Sequence, residues 1–208
     1  MQLILSARRS AWLGAIGFFC TLAQCPAQGT VQITFDGPPL VEPGSAIGVQ
    51  QYFESGMSFV PLGFSFGRIG SSPEGGRPDS GTAYLQAVFT GSLAFSLING
   101  SAFDLVSVDL AEYSTLYQTP LTVRFIGYRH DGSIVTTDLT TDGVIDGTGP
   151  LADFEAFQFS SEWSGLTRAE IPTALWSLDN LIVAIPEPGT WALLLAGGSL
   201  LWALQRRS

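Results

Sequence analysis

Residues 121–137 read LTVRFIGYRHDGSIVTT, and this stretch decides the fold class. Apolar and polar side chains alternate along residues 121–128 and again along residues 133–137, which is the period of a half-buried β-strand. Asp131-Gly132 stands between the two runs, and Asp-Gly is among the strongest short-range signals for a tight hairpin turn. The stretch therefore predicts an antiparallel β-hairpin.

The same alternation recurs along most of the chain, in runs bounded by the turn-forming residues Gly, Pro, Asn, Asp and Ser. Residues 90–92 and 99–101 read as further short hairpin connections. Long helical periodicity is absent outside the terminal segments, so the pattern predicts an all-β protein, an antiparallel β-sandwich of jelly-roll-like type. The additional predicted strands cover residues 31–35, 51–53, 57–60, 84–89, 93–98, 105–110, 154–159, 166–171 and 176–185.

The C-terminal stretch has a different composition, with three parts in a fixed order. Pro186-Glu187-Pro188 interrupts regular structure, because prolines lack a backbone N–H and restrict the residue before them. An apolar run follows from Trp191 to Leu204, and Arg206 and Arg207 come next. Residues 190–204 would form about 22 Å of helix against a hydrocarbon core of roughly 30 Å, so we expect a short transmembrane helix with its basic end in the cytoplasm.

This order of motif, apolar helix and basic pair resembles the PEP-CTERM protein-sorting domain of exopolysaccharide-forming Gram-negative bacteria. The resemblance implies that Pro186, Glu187 and Pro188 are recognised by an exosortase-type enzyme, and that Arg206 and Arg207 retain the chain in the inner membrane until it is processed. It covers only residues 186–208. An ordinary C-terminal tail anchor is the alternative interpretation.

The N-terminal segment is typical of a secretory signal peptide. Arg8 and Arg9 precede an apolar run, and small residues follow it. We expect cleavage after Ala27, although residues 22–25 loosely resemble a lipobox that would lipidate Cys25. The predicted organisation is a signal helix at residues 1–27, a β-sandwich at 28–185 and the sorting segment at 186–208, in a protein that is exported, held at the inner membrane and then released to the cell surface or the extracellular matrix.

The charge balance excludes one class of partner. The chain has 9 arginines, no lysine and 18 acidic residues. Four of the arginines and one acid lie in the terminal segments, so the body keeps five arginines, 17 acids and a net charge of −12. A surface so acidic repels phosphates, and we therefore expect no nucleic-acid partner.

The body also resembles exported jelly-roll domains of the carbohydrate-binding-module type. The resemblance rests on Phe35-Asp36 at the end of the first strand, on Ala83-Tyr84-Leu85 after a Gly-rich stretch, and on residues 177–183 (SLDNLIV) near the end. It implies that Asp36 and Asp179 share a structural calcium ion, whose six to eight oxygen ligands would have to be completed by other groups. Alternatively, both acids only form turns.

Sugar-binding surfaces use exposed aromatic rings with polar neighbours, because such a ring presents a flat apolar face. The candidates for binding exopolysaccharide are Tyr52, Tyr113, Tyr117 and Trp163. Each is also a candidate for the hydrophobic core of the sandwich.

Signals for catalysis are weak. His130 is the single histidine and stands beside the Asp131-Gly132 turn, and both cysteines lie in the signal segment, so a catalytic triad and a zinc site lack their residues.

Residues 138–149 could wrap a cation through Asp138, Asp142 and Asp146, or simply form turns. We expect a non-enzymatic protein. The alternative is a small glycan hydrolase that uses paired carboxylates.

Overall fold

The computed structural model describes residues 28–62, 67–87, 91–145 and 153–186. These residues form two antiparallel sheets packed face to face, so the predicted all-β sandwich is confirmed. The strands in the described part are β1 (Gln28–Ile33), β2 (Ala46–Val49), β3 (Tyr52–Glu54), β4 (Met57–Leu62), β5 (Gly67–Ser71), β6 (Ala83–Ala87), β7 (Ser92–Leu97), β8 (Asp104–Glu112), β9 (Thr122–Arg129), β10 (Ile134–Thr140), β11 (Glu155–Gln158), β12 (Leu166–Ile171) and β13 (Trp176–Pro186).

The first sheet has the strand order β11-β8-β13-β6-β5-β2, and β1 also pairs with β13. The long strand β13 is central to this sheet, with β8 along one side and both β6 and β1 along the other. A register irregularity between Asp179 and Ile182 lies where β13 changes partner from β6 to β1, and Asn180 there has a φ of 47°. At this bulge, the Asp179 carboxylate accepts a hydrogen bond from the hydroxyl of Thr82, which lies just before β6.

The second sheet has the order β10-β9-β12-β7-β4-β3. The predicted hairpin at residues 121–137 is present as β9 and β10, with Tyr128 paired to Ile134. Asp131 accepts a hydrogen bond from the Ser133 N–H, and Gly132 adopts a φ of 83°. Glycine suits this position because it has no Cβ to oppose a left-handed backbone.

Two predicted hairpin connections were wrong. Strand β7 belongs to the second sheet, whereas β6 before it and β8 after it belong to the first. The chain therefore passes from one sheet to the other both before and after β7, and neither predicted connection joins hydrogen-bonded neighbours. Turn-forming residues mark where a strand ends, but they do not determine which strand becomes its partner.

The hydrophobic core lies between the sheets and is rich in aromatic rings. Phe59 lies 5.4 Å from Phe35 and 5.5 Å from Phe95 between ring centroids, and Trp176 is 1% exposed. Rings at these separations contribute beyond their buried area. The main core cluster takes residues from both sheets, and Tyr84, Ala111 and Phe154 form a second, smaller cluster.

Both ends of the sandwich meet in the same sheet. Gln28 pairs with Pro186, so β13 continues one residue past the predicted boundary at Ile185 and includes the first residue of the Pro-Glu-Pro motif. The predicted signal at residues 1–27 and the rest of the sorting segment at 187–208 lie outside the described residues. Within the described part, no helix is long and apolar enough to span a membrane.

Candidate functional site

A groove of about 260 Å³ lies between the loop after β5 and the 3-10 turn Thr115–Tyr117 that follows β8. The Ser114 hydroxyl accepts a hydrogen bond from the Leu116 N–H and caps the turn. The Thr115 N–H donates to the Gly76 carbonyl at 3.1 Å, which joins the turn to the loop. The groove is lined by Pro73, Glu74, Gly75, Gly76, Arg77, Asp79, Thr115 and Ile145.

Two of the four aromatic candidates meet beside this groove. The rings of Tyr113 and Tyr117 lie 6.4 Å apart between centroids. Tyr117 is 47% exposed, whereas Tyr113 is 8% exposed. Tyr117 therefore has ring surface open to solvent, with Tyr113 packed beneath it.

Arg77 holds the buried tyrosine in place. Its guanidinium carbon lies 4.1 Å from the Tyr113 ring centroid, within the range of a cation–π contact. The same guanidinium donates to the Tyr113 carbonyl at 3.1 Å and lies 4.0 Å from Glu74, which also pairs with Arg68. The groove thus has charged and polar groups that are held in place, and the exposed Tyr117 lies on the turn at its side.

The other two aromatic candidates are part of the core. Tyr52 is 1% exposed, and its hydroxyl donates to Glu54 at 2.8 Å; burial, followed by this carboxylate, raises the pKa of Tyr52 well above its usual range. Trp163 is 3% exposed and its ring lies 4.9 Å from that of Phe159. The Tyr52 ring therefore has no face left for a sugar. Trp163 lines a groove of about 380 Å³ together with Phe159, although almost none of its own surface is accessible to solvent.

Asp36 and Asp179 reach the same short segment, although they are far apart in sequence. Asp36 accepts a hydrogen bond from the Ala83 N–H at 3.0 Å, and Asp179 accepts one from the Thr82 hydroxyl at 3.1 Å. Asp179 has no exposed surface. Burial is the main cause that raises the pKa of Asp179 to about 7, and the nearby Asp36 carboxylate adds to it.

The donor set at this pair fits calcium only in part. Two carboxylates and the Thr82 hydroxyl supply fewer oxygens than the six to eight that calcium prefers, so backbone carbonyls would have to complete the shell. Calcium shared by Asp36 and Asp179 therefore stays a prediction. Protonation of Asp179 is the other way for its buried carboxyl to avoid an unpaired charge.

The structure also brings together three acids that were not predicted from the sequence to form one site. Glu112, Asp142 and Glu155 each bring one carboxylate oxygen within 4.8 Å of the other two. Of the acids expected to wrap a cation, Asp142 is in this group, Asp138 instead pairs with Arg124 at 2.8 Å, and Asp146 lies outside the described residues. Sequence spacing could not reveal the group because Glu112 and Glu155 come from different strands.

His130 is exposed at the β9–β10 turn, as expected for a hairpin residue. The structure brings Tyr113 and Tyr117 together, and it brings Asp36 and Asp179 to the same segment, but the roles predicted for these residues stay predictions. The described residues thus form an acidic β-sandwich with an exposed tyrosine beside one of its grooves.

Comparison with known proteins identifies no family. No family model matches the chain, and no curated protein matches it. One similar solved structure is the Clostridium thermocellum xylanase 10B CBM22-1-GH10 modules complexed with xylohexaose, at 9% identity and a TM-score of 0.35, covering 76% of this chain and 28% of that one. Another is the enzymatically active domain of bacteriophage CBA120 tailspike protein 4, at 13% identity and a TM-score of 0.25, covering 76% of this chain and 19% of that one.

The chain thus spans less than a third of the length of either matched structure. Both TM-scores are below 0.5, and neither likeness carries weight for fold or function.

Proposed function

We propose that this chain is an exported, non-enzymatic β-sandwich of the jelly-roll type that is delivered to the cell envelope or extracellular matrix and associates there with polysaccharide. Residues 1–27 act as a signal helix that is removed. Residues 186–208 act as a PEP-CTERM sorting segment, whose helix holds the chain in the inner membrane until an exosortase-type enzyme processes it.

The observation that carries the sorting proposal is the order of Pro186-Glu187-Pro188, the apolar run and the basic pair. The pairing of Gln28 with Pro186 supports it, because the two terminal segments then attach to neighbouring residues at one place in the first sheet. Cleavage after Ala27 and near Pro188 would leave every described strand in place.

The sorting proposal is tested by intact mass spectrometry of the chain recovered from the membrane and from the medium of its own host. We expect a released species that begins near Gln28 and ends near Pro188. The variant E187A/P188A should stay in the membrane with its C-terminus at Ser208. A matched control is E42A/P43A, because residues 42–44 repeat the Glu-Pro-Gly of residues 187–189 within the body. Release of the E187A/P188A variant at the wild-type level would refute recognition of the motif.

The polysaccharide proposal is carried by the groove beside Tyr117. Tyr117 lies on the same turn as Thr115, which lines the groove together with Glu74, Arg77 and Asp79. An exposed ring and hydrogen-bonding groups are thus close enough in the chain to act on one sugar chain, and sugar recognition uses both. Neutral polysaccharides fit this surface better than anionic ones, because the body carries a net charge of −12.

Affinity electrophoresis against exopolysaccharide from the host tests this step. Tyr117→Ala should weaken the retardation about tenfold, which corresponds to roughly 1.4 kcal/mol for a stacked ring. Phe53→Ala is the matched control, since Phe53 is 49% exposed but lies on β3 of the other sheet. Equal losses in both variants would argue against the groove. Release of reducing ends during the incubation would instead favour the glycan hydrolase.

A further inference from the structure

Glu112, Asp142 and Glu155 are brought together by three separate parts of the fold. Glu112 ends β8, Glu155 begins the neighbouring strand β11, and Asp142 follows β10. Glu155 pairs with Leu110, two residues before Glu112, so the two glutamates lie diagonally across adjacent strands. Diagonal neighbours in a sheet are within reach of long side chains.

Glu112 is an unusual member of this group because it is 1% exposed. Its Oε1 accepts hydrogen bonds from the Thr141 hydroxyl and from the Gly143 N–H. Its Oε2 is buried and has no hydrogen-bond partner among the described residues. A buried carboxylate oxygen without a partner is costly, since it has lost water and gained nothing in exchange.

The other two carboxylates do not offset that cost. Glu155 accepts a hydrogen bond from the Asp142 N–H at 2.6 Å, and Asp142 accepts one from the Val144 N–H at 2.8 Å. Over the described part of the chain, none of the three acids forms an ion pair with an arginine. Burial raises the pKa of Glu155, and the nearby charges of Asp142 and Glu112 raise it further.

We propose that Glu112, Asp142 and Glu155 form a calcium-binding site that joins β8, β11 and the loop after β10. Calcium binds oxygen at about 2.4 Å, so two oxygens on one ion can be at most about 4.8 Å apart, and the three acids meet that limit. A cation bound by the three carboxylates would give the buried Glu112 side chain a counter-charge and reduce the repulsion among the three acids. Three oxygen donors without a nitrogen or sulfur ligand suit a hard cation.

Calcium fits better than magnesium for a geometric reason. Magnesium requires a near-ideal octahedron at about 2.1 Å and retains several waters, whereas calcium accepts irregular sets of carboxylate and carbonyl ligands. The Glu112 oxygen is buried, and its loop partner Gly143 already donates its N–H to the same side chain. Such a fixed, partly dry set of ligands is difficult for a strongly hydrated ion.

The site also has a structural consequence for the groove. Ile145 lines the groove and follows Asp142 by three residues, and its carbonyl accepts a hydrogen bond from the Gln118 amide at 3.0 Å. Calcium at Glu112 would fix the loop that supplies this part of the groove wall. The cation is therefore expected to order the wall rather than to contact a sugar.

Isothermal titration of calcium chloride into the chelator-treated full chain, held in a non-ionic detergent, tests the site. We expect Asp142→Asn and Glu155→Gln each to weaken calcium binding at one site at least tenfold. Glu112→Gln should abolish that site. Because Glu112 is buried and its variant could fail to fold, the exposed Asp142 carries the test independently.

Two control variants separate this site from other acids. Asp138→Asn removes a carboxylate of β10 that is held by Arg124, and it should change calcium affinity less than twofold. Asp179→Asn tests the other predicted calcium position and should leave the Glu112 site intact. The proposal is overturned if wild type takes up no calcium, if Asp179→Asn alone removes all binding, or if magnesium chloride binds at the Glu112 site as tightly as calcium chloride.

Discussion

The buried carboxyl group of Asp179 makes the stability of the protein depend on pH. Its folded-state pKa of about 7 lies about three units above the value near 3.9 of an unfolded aspartate. Between these two values the unfolded chain releases the proton while the folded chain keeps it, so stability is full at low pH and falls as pH rises through 7. Ionisation of this fully buried group therefore costs up to about 4 kcal/mol at high pH.

We predict that Asp179→Asn removes this pH dependence. In urea unfolding with chelator present, wild type should lose about 3 kcal/mol relative to the variant between pH 5 and pH 8. Asp131→Asn is the control, since Asp131 is exposed and its pKa is lowered, so its contribution is lost only in acid. Parallel pH profiles for wild type and Asp179→Asn would show that Asp179 is ionised throughout.

At the scale of elements, β3 and β1 are connected by one carboxylate. Glu54 at the end of β3 accepts hydrogen bonds from the backbone N–H groups of Thr34 and Phe35, which follow β1, and from the Tyr52 hydroxyl. These bonds link the two sheets where Phe35 takes a φ of 58° and is fully buried. A non-glycine residue in the left-handed region needs such support, because that conformation is strained.

We predict that Glu54→Gln destabilises the protein by about 2 kcal/mol, because it removes a charged acceptor and turns an amide donor towards backbone donors. Thermal unfolding followed by near-ultraviolet circular dichroism would measure the loss. Glu42→Gln, on the exposed loop before β2, should change stability by less than about 0.5 kcal/mol. A loss at Glu54 no larger than at Glu42 would mean that the connection between the sheets does not depend on this carboxylate.

At the scale of the whole molecule, the sandwich closes where its two ends pair. Strand β1 pairs with the last six residues of β13, from Leu181 to Pro186. We predict that a fragment of residues 28–186 unfolds cooperatively with a Tm within about 3 °C of the full chain, which corresponds to roughly 1 kcal/mol.

A shorter fragment provides the comparison. Residues 34–186 lack β1, which leaves one edge of β13 unpaired and exposes the core around Val183, a fully buried residue. This fragment should unfold at a much lower temperature or aggregate through the free edge. Equal Tm values for the two fragments would show that β1 does not close the sandwich.

Much of the local structure could be predicted from the sequence. The period-two alternation located β12 at residues 166–171, and it placed β9 and β10 on either side of their Asp-Gly turn. Side-chain alternation is a local property, set by which face of a strand meets water, so it can be read within a few residues. The region of residues 47–81 was less readable, and β2 and β5 within it were not predicted.

The all-β class, most strand positions and the strongly acidic body could all be predicted from the sequence, which also suggested the terminal sorting signals. The pairing of the strands, the burial of Tyr52 and Trp163, the exposure of Tyr117 and the approach of Glu112 to Asp142 and Glu155 became visible only in the folded structure. These features depend on contacts between residues tens of positions apart. The alternation along a single strand carries no information about which distant strand will pack against it.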